Sequence, residues 1–402
     1  MKEKIALGFG NNIDYEIVWN SEVIEDLILQ YDICNHELDV NRVITCERDL
    51  IISILGFLQI ASGGERFVSS SDIIEQFSQK CAKKITLGGT SVRAAMAMRK
   101  FGYTSALHLV TLNDHVRRLI PHDSPYVCSN VQDSSYPHLI VQFGKDTRIK
   151  ASDIDISTRQ ANRLIYHSDT DNVIMNLNED FSDLITDAKV LLVSGFNAMQ
   201  SQTLLADRLE SVFRMMERLP EDAVVFCEDA GFHEPKFSHF VYRTLAKKMT
   251  IFSLNEDELQ GYLNTKLNLL DVFQVKEALV ELQRLFPVPI IVVHTKHWAL
   301  AYGEEATRFL KALKAAVTMA TTRFCYGDAF AIEHYKAVEE LAPSQEDAVF
   351  ADDLNKLPSN RICCVPVAHV EPSVATTVGL GDAFVGGFLP ALLTRKKPFD
   401  KE

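Results

Sequence analysis

The segment Thr377–Phe388 reads TVGLGDAFVGGF and combines glycines, one carboxylate and an apolar run with helical spacing. Gly379 and Gly381 have no Cβ, so the backbone there can come close to a ligand. If Asp382 lies where the following helix begins, free N–H groups beside it form an anion site next to a carboxylate. Phosphate on the N–H groups and a hydroxyl on the carboxylate is the arrangement that phosphoryl transfer needs. The simpler interpretation is a capped turn, since Asp is a common N-cap.

Polar residues also stand beside several predicted elements in the first quarter of the chain. They are Asn12 and Asp14 after the strand Ile5–Phe9, Glu65 after the helix Leu50–Ala61, and Gly88, Gly89 and Thr90 before the helix Val92–Phe101. Polar residues beyond a parallel strand suggest a site at its carboxyl end, and a glycine-rich turn that opens a helix can hold an anion or hydroxyls. The structural alternatives are an Asx turn, a helix C-cap with an exposed acid, and an ordinary glycine turn.

From residue 189 onward, short apolar runs alternate with segments of helical spacing. The predicted strands are Val190–Val193, Ala223–Cys227, Ile251–Leu254 and Ile290–Val293, and the predicted helices are Thr203–Leu219, Phe237–Met249 and Val272–Leu285. Polar residues follow the strands, among them Glu228, Asn255, Glu258, His294 and Thr295. The alternation predicts a doubly wound α/β fold with a mostly parallel sheet flanked by helices, whose ligands bind beyond the carboxyl ends of the strands. The acids after the strand Ile251–Leu254 have a simpler interpretation as the solvent-exposed first turn of a helix, where acids are favoured.

Residues 121–168 depart from this alternation. The predicted elements are a loop over Pro121–Pro137, an antiparallel hairpin of His138–Phe143 and Thr147–Lys150 that turns at Gly144, and a short strand at Asn162–Tyr166. Antiparallel strands outside the βα alternation predict a small separate sheet. A later acidic, proline-flanked segment, Ala342–Pro358, is predicted to be a surface loop.

Length and composition limit the class of protein. The chain has 402 residues, 47% hydrophobic and 24% charged, which suits one large domain with an insertion or two domains. A net charge of −13 argues against a nucleic-acid surface. The 8 cysteines form no C-x-x-C pair, so we expect reduced thiols and a cytoplasmic protein. We expect neither a signal peptide nor a membrane helix, which needs about 20 apolar residues. The oligomeric state is not predicted.

Five segments carry a resemblance to a known family. They are Asn12-x-Asp14, the pair Gly88-Gly89, Asn162-Arg163-x-Ile165, Asn255-x-x-Glu258 and Val378-Gly379-Leu380-Gly381-Asp382. In this order they resemble the ADP-dependent glucokinase and phosphofructokinase family, a branch of the ribokinase-like kinases. Gly-x-Gly-Asp alone would indicate only a ribokinase-like protein. Ser194-Gly195-Phe196 and His294-Thr295, each after a strand, favour the ADP-dependent branch.

The resemblance implies a Mg²⁺-dependent kinase that transfers the β-phosphoryl group of ADP to a hydroxyl of a hexose or hexose phosphate and releases AMP. It implies Asp382 as general base, with Gly379, Leu380 and Gly381 as anion hole and Arg163 on the phosphates. The residues expected to face the sugar are Asn12, Asp14, Glu65, Gly88, Gly89 and Thr90. Those expected to bind nucleotide are Asn255, His294, Thr295, Val378 and Gly379. The metal would be bound by Glu228 and Glu258. A phosphorylated sugar would need further cations near the lid, for which Arg93, Lys145 and Arg148 are candidates.

The resemblance also implies two domains. Residues 1–12, 46–130 and 169–402 would form a ribokinase-like large domain that binds nucleotide. Residues 13–45 and 131–168 would form a small, discontinuous, β-rich lid over the sugar site. Because water in the site would compete with the sugar for the phosphoryl group, we expect the lid to close over bound substrates.

Three positions differ from the family pattern. Gly10 stands where the family usually has a second Asn. Thr90 and Ser91 stand where it usually has Asn or Gln together with Ala, and Phe226 stands where it usually has His. The first two lie on the expected sugar side. Two alternatives therefore stay open: an ATP-dependent ribokinase-type kinase of a carbohydrate or nucleoside, and a sugar- or nucleotide-binding homologue with impaired catalysis.

Overall fold

The computed structural model describes residues 4–232, 234–358, 360–371 and 376–393. Its strands are β1 (Ile5–Leu7), β2 (Asn12–Ile17), β3 (Gly64–Phe67), β4 (Lys83–Gly88), β5 (Ala106–Leu109), β6 (Tyr126–Cys128), β7 (His138–Phe143), β8 (Arg148–Ala151), β9 (Ile154–Ser157), β10 (Asn162–His167), β11 (Val190–Val193), β12 (Val224–Glu228), β13 (Ile251–Asn255), β14 (Ile290–His294), β15 (Trp298–Gly303) and β16 (Ile362–Pro366).

The α-helices surround these strands. They are α1 (Ser21–Gln30), α2 (Glu47–Ile60), α3 (Ser71–Ser78), α4 (Thr90–Arg99), α5 (Asp114–Leu119), α6 (Thr170–Ile174), α7 (Phe181–Leu184), α8 (Gln202–Met216), α9 (Pro235–Leu245), α10 (Glu256–Leu263), α11 (Val272–Leu285), α12 (Leu310–Tyr326), α13 (Ile332–Glu339), α14 (Gln345–Asn355) and α15 (Leu380–Leu393). Within the described part of the chain, no helix has both the length and the apolar character needed to cross a membrane.

The larger sheet has the order β16-β15-β14-β13-β12-β11-β1-β5-β6. Its strands from β14 to β6 pair in parallel, whereas β15 is antiparallel to both of its neighbours. The predicted doubly wound, mostly parallel sheet is therefore confirmed. Strand β15, to which the sequence analysis assigned no element, extends it.

Alternate residues of the central strands enter two different cores. In β11, Val190 and Leu192 belong to one hydrophobic cluster, and Leu191 and Val193 belong to the other. Successive side chains of a strand point to opposite faces, so a sheet with helices on both sides needs apolar residues at every position. This explains why these strands read as continuous apolar runs.

Helix α15 packs between α12 and α4 on one face of this sheet. Glycines allow the close approach: a Cβ at Gly387 would lie 2.6 Å from the carbonyl oxygen of Ala315 in α12, and one at Gly386 would lie 2.8 Å from Ala97 Cβ in α4. Phe388 is fully buried and its ring centroid lies 5.3 Å from that of Phe226. The packing fixes where the N-terminus of α15 lies.

A second sheet has the order β3-β10-β7-β2-β4. Asn12 and Asp14 belong to strand β2 of this sheet, so they do not form the Asx turn that was one interpretation of the polar residues after β1. Strands β3 and β4 come from residues 46–130, which the sequence analysis assigned to the large domain. The small sheet thus draws on more of the chain than the segments predicted for the lid.

The predicted hairpin of His138–Phe143 with Thr147–Lys150 is wrong. Strand β7 pairs with β10 in antiparallel and with β2 in parallel, while β8 pairs with β9 in a separate two-stranded sheet. Local spacing and a turn glycine suggested a partner close in sequence. Strand β7 is buried in the middle of the second sheet, where β10 and β2 occupy both of its edges and leave none for β8.

Two predicted loops contain regular structure. Residues 121–137 include strand β6, and residues 342–358 include helix α14. Ser344 caps α14 by accepting a hydrogen bond from the N–H of Asp347 at 3.1 Å, and Phe350 and Leu354 bury the helical face. These apolar positions have the i, i+4 spacing of a helix, but the acids between them obscured it.

We expect Phe388→Ala to lower the free energy of unfolding by about 3–5 kcal/mol, because it leaves a cavity in the core beneath α15. Phe273→Ala is the matched control, since Phe273 is 77% exposed and surface substitutions usually change stability by less than about 0.5 kcal/mol. Urea denaturation of both variants measures the difference. Equal stabilities would contradict this account of the core.

Candidate active site

A cavity of about 740 Å³ lies between the carboxyl ends of the large-sheet strands, the second sheet and the N-terminus of α15. Its volume falls within the roughly 300–1,000 Å³ typical of small-molecule sites. Sixteen of the seventeen predicted site residues line it: Asn12, Asp14, Glu65, Gly88, Gly89, Thr90, Arg163, Glu228, Asn255, His294, Thr295, Val378, Gly379, Leu380, Gly381 and Asp382. Residues far apart in sequence therefore converge on one site.

Glu258 is the predicted site residue that does not line the cavity. It forms a capping box with Asn255: the N–H of Asn255 donates to Glu258 Oε2 at 2.8 Å, and the N–H of Glu258 donates to Asn255 Oδ1 at 3.0 Å. Burial and then the neighbouring Asp229 raise the pKa of the Glu258 carboxyl group. These contacts give the carboxylate a structural part in starting helix α10.

The glycine turn precedes helix α15. Gly379 has φ +70°, and its carbonyl oxygen accepts a hydrogen bond from the N–H of Ala383 at 3.0 Å. A Cβ at Gly379 would lie 2.8 Å from a guanidinium nitrogen of Arg93 and 3.2 Å from Arg323 Nε. Both the backbone angle and the lack of space require glycine. Asp382 lies in the first turn of α15 with 20% of its side chain exposed, and it faces the cavity.

A buried arginine joins two acids of the cavity. Arg93, on α4, lies 2.7 Å from Asp14 Oδ2 and 3.7 Å from Asp382 Oδ2, and its side chain is 5% exposed. Burial lowers the pKa of this guanidinium group, but Asp14 and then Asp382 outweigh burial and raise it. Asp14 Oδ1 also accepts a hydrogen bond from Asn12 Nδ2 at 2.6 Å. Arg93 thus places one positive charge between the two acids where the two sheets meet.

A second arginine supports the same turn. Arg323 Nε donates to the carbonyl oxygen of Val378 at 2.9 Å, and a second nitrogen of Arg323 is paired with Asp328. Lys84 of the second sheet also pairs with Asp328, at 2.7 Å. Burial alone would raise the pKa of Asp328, but Arg323 and Lys84 outweigh burial and hold that pKa below its ordinary value. The turn is therefore anchored on the buried side chain of Arg323, which Asp328 holds in place.

The far end of the cavity is acidic. Glu228 Oε1 lies 2.9 Å from His294 Nε2, while Glu228 Oε2 is buried and has no hydrogen-bond partner among the described residues. Burial raises the pKa of the adjacent Asp229 to about 7, although the Tyr262 hydroxyl donates to it at 2.6 Å. A Cβ at Gly381 would lie 3.8 Å from Glu228 Oε1, so these acids adjoin the glycine turn.

The opposite end of the cavity contains two histidines that the sequence analysis missed. The rings of His138 and His167 stack with centroids 4.6 Å apart. His138 Nε2 lies 3.0 Å from Asp169 Oδ2, and His167 Nε2 lies 3.0 Å from Glu65 Oε1. Burial lowers the pKa of His138, but the Asp169 hydrogen bond raises it above the ordinary value. His167 directly follows a predicted strand, which was a usable signal; its partner became visible only through strand pairing.

Arg163 belongs to strand β10 of the second sheet and reaches the segment just before the glycine turn. One of its guanidinium nitrogens donates to the carbonyl oxygen of Thr377 at 3.3 Å. Of the other candidate cations, Arg148 pairs with Asp155 at 3.1 Å, and neither Arg148 nor Lys145 is among the described residues that line the cavity. The cations on this side are therefore Arg163 at the rim and Arg93 beneath it.

The conserved region of the ADP-specific phosphofructokinases and glucokinases matches residues 3–389. The chain belongs to this family. Its members are ADP-dependent sugar kinases, which transfer a phosphoryl group to an alcohol. The expected family is thereby confirmed. No curated protein sequence matches the chain.

Solved structures show the same fold at low sequence identity. A phosphofructokinase from Pyrococcus horikoshii OT3 with AMP has a TM-score of 0.75 and 16% identity, with 98% of each chain covered. An ADP-dependent kinase in complex with fructose-6-phosphate and ADPβS has a TM-score of 0.75 and 14% identity, covering 98% of this chain and 95% of the other. The chain thus has the ADP-dependent kinase fold along nearly its whole length.

Two of the three departures from the family pattern touch each other. Ser91 Oγ donates to the carbonyl oxygen of Gly10 at 3.0 Å. A Cβ at Gly10 would lie 2.9 Å from Asn172 Oδ1, and Asn172 lines the cavity. In this chain Asn172 therefore supplies a polar amide beside the position where other members of the family carry a side chain. The third departure, Phe226, is fully buried in the core beside Phe388.

We expect Arg93→Met to lower the free energy of unfolding by about 3–5 kcal/mol, because it leaves the carboxylate of Asp14 buried without a counter-charge. Arg99→Met, on the same helix, is the matched control: its ion pair with Asp123 is exposed and worth about 1 kcal/mol or less. Asp14→Asn combined with Arg93→Met should recover part of the loss. Denaturant titration tests this, and similar losses for the two arginines would contradict it.

Proposed function

We propose that the chain is a Mg²⁺-dependent kinase that transfers the β-phosphoryl group of ADP to a sugar hydroxyl, with Asp382 as general base. The observation that carries the proposal is the position of Asp382. It lies in the first turn of α15, faces the cavity and shares Arg93 with the acceptor-side Asp14. The preceding residue, Gly381, adjoins Glu228 at the acidic end.

On the acceptor side, Asp382 takes the proton of the attacking hydroxyl as its oxygen bonds to phosphorus. General base catalysis of this kind is typically worth about 10²–10⁴ in rate. Asp14, held by Arg93 and Asn12, orients the acceptor sugar by accepting a hydrogen bond from another hydroxyl of that sugar. As the new O–P bond forms, the bond between the β-phosphorus and the bridging oxygen breaks, and AMP leaves.

On the donor side, the N–H groups at the start of α15 face the phosphoryl group. Helix N-termini stabilise anions through free N–H groups and the helix dipole. Arg163, on strand β10, adds positive charge where negative charge develops. Asn255, His294 and Thr295 line the end of the cavity proposed for the nucleotide.

The residues at the acidic end fit a bound Mg²⁺. Mg²⁺ prefers oxygen ligands and keeps several waters. Glu228 offers a buried oxygen without a described partner. The pKa of the neighbouring Asp229 is raised, mainly by burial. Glu228 would hold the ion, with Asp229 adding negative charge. When bound, Mg²⁺ neutralises phosphate charge during transfer. Glu258 is committed to its capping box and is the weaker candidate ligand.

The charge of the acceptor end favours an uncharged sugar over a sugar phosphate. Asp14, Glu65 and Asp382 line it, and Arg93 is already paired with two of these acids. The stacked pair His138 and His167 is likewise engaged by carboxylates. All eight cysteines are free thiols, which supports the expected cytoplasmic location.

A substrate screen tests the proposed reaction. The purified chain is incubated with Mg²⁺, with ADP or ATP, and with glucose, other hexoses or fructose-6-phosphate, and AMP and phosphorylated sugar are measured. We expect AMP and a sugar phosphate in equal amounts from ADP and an uncharged hexose. Transfer from ATP alone would establish the ribokinase-type alternative, and binding without any transfer would establish an impaired homologue.

We expect Asp382→Asn to lower kcat by about 10²-fold or more with little change in ADP affinity, because the amide keeps the shape but cannot accept the proton. Asp114→Asn is the matched control, since Asp114 is also an acid in the first turn of a helix but is fully exposed. Steady-state kinetics and ADP titration give both quantities. Near-normal turnover in Asp382→Asn would end the general-base assignment.

We expect Glu228→Gln to raise the Mg²⁺ concentration for half-maximal activity by about tenfold or more, because it removes charge from the buried oxygen offered to the ion. Glu210→Gln, at an exposed position on α8, serves as control. Activity is measured across a Mg²⁺ titration at saturating ADP. An unchanged Mg²⁺ requirement would move the metal site away from Glu228.

A further inference from the structure

A group of metal-ligating side chains lies at a second place, outside the cavity. Cys34 directly precedes the 3-10 turn Asn35–Glu37 after α1, and His36 lies within that turn. Asp153 lies in the turn between β8 and β9. The ligand atoms of the three side chains lie within 4.8 Å of one another. None of them is among the described residues that line the cavity. Nothing in the proposed reaction uses them.

The fold holds these two segments together through the backbone of the turn. The N–H of Asn35 donates to Asp153 Oδ1 at 2.9 Å, across 118 residues of sequence. The side chain of Asn35 accepts a hydrogen bond from Gln59 Nε2 of α2 at 3.1 Å. The turn is therefore tied to a helix on one side and to the β8–β9 hairpin on the other, and the carboxylate of Asp153 is held beside it.

The turn itself is closed by a further contact. Cys34 N–H donates to Glu37 Oε2 at 3.0 Å. Arg48 pairs with the same carboxylate at 2.8 Å, so it offsets the charge of Glu37. Cys34 is half-buried, whereas His36 and Asp153 are exposed to solvent. An ion could therefore reach the group from outside without opening the fold.

The donor set selects the kind of ion. Zn²⁺ is bound in proteins by thiolate, imidazole and carboxylate, commonly in tetrahedral sites that can keep one water. Mg²⁺ and Ca²⁺ take oxygen ligands and have little use for a thiolate or an imidazole. A thiol, an imidazole and a carboxylate together favour zinc over the magnesium expected at Glu228.

We propose that Cys34, His36 and Asp153 form a Zn²⁺ site that clips the turn after α1 to the β8–β9 hairpin. A Zn–S bond forms as the thiol of Cys34 releases its proton to the solvent, and no oxidation is involved. The clip joins segments far apart in sequence, at the outer edge of the part of the chain that carries the second sheet. It is independent of the proposed kinase activity.

The test uses the full chain, reduced and freed of metal with a chelator, and then titrated with ZnCl₂ by calorimetry. The variants are Cys34→Ser and Asp153→Asn, and Cys46→Ser, an exposed cysteine outside the group, is the matched control. We expect affinity for Zn²⁺ to fall by about tenfold or more in the first two variants and to be unchanged in the control. A zinc ion bound in the main cavity would persist in all of them.

Two further measurements guard against a folding artefact. Titration with Co²⁺ should give a thiolate-to-cobalt absorption band that Cys34→Ser abolishes and Cys46→Ser retains. Zn²⁺ should slow hydrogen exchange in residues 148–157 of the wild type but not of Asp153→Asn, whose exposed substitution keeps an oxygen for the Asn35 N–H. Equal Zn²⁺ affinity in wild type and Cys34→Ser, or no zinc binding by the wild type, would overturn the proposal.

Discussion

The buried guanidinium group of Arg93 is the contact on which the cavity depends. A buried charge is tolerated only when it is paired. Arg93 pairs with Asp14 and Glu16 on strand β2 and with Asp382 on α15. Asp14 belongs to the second sheet and Asp382 to α15, so the same cation holds both against α4. The residue beside this guanidinium group is Gly379, because any side chain at that position would collide with it.

This arrangement makes the proposed acceptor side and the proposed general base parts of one structural unit. Strand β4 of the second sheet runs almost directly into α4, the helix that carries Arg93. The second sheet is thus connected to the site through the chain itself, as well as through the ion pair of Lys84 with Asp328. Movement of the sheet relative to α15 would stretch or break buried ion pairs.

Charge is distributed unevenly along the cavity. The acids of the acceptor end are held by Arg93 and by His167, whereas Glu228 keeps one oxygen without a described partner. The turn before α15 is bonded to Arg323 and presents backbone N–H groups. A low-dielectric site strengthens such interactions, so fixed cations and amides near a migrating phosphoryl group act without reorganisation. The fold is shared with solved structures at 14–16% identity, in keeping with the tolerance of protein cores for hydrophobic substitutions that keep volume and pattern.

The sequence by itself determined the parallel sheet, the helix that begins at the glycine turn, and the residues that would meet at the strand ends. Hydrophobic periodicity and backbone requirements, such as the need for glycine at position 379, depend on residues that are neighbours in sequence. Tertiary structure alone decided that β7 pairs with β10, that His138 stacks on His167, and that Glu258 caps a helix instead of lining the cavity. Arg93 shows the reason: in sequence it is one cation on a helix, and only long-range packing buries it between two acids.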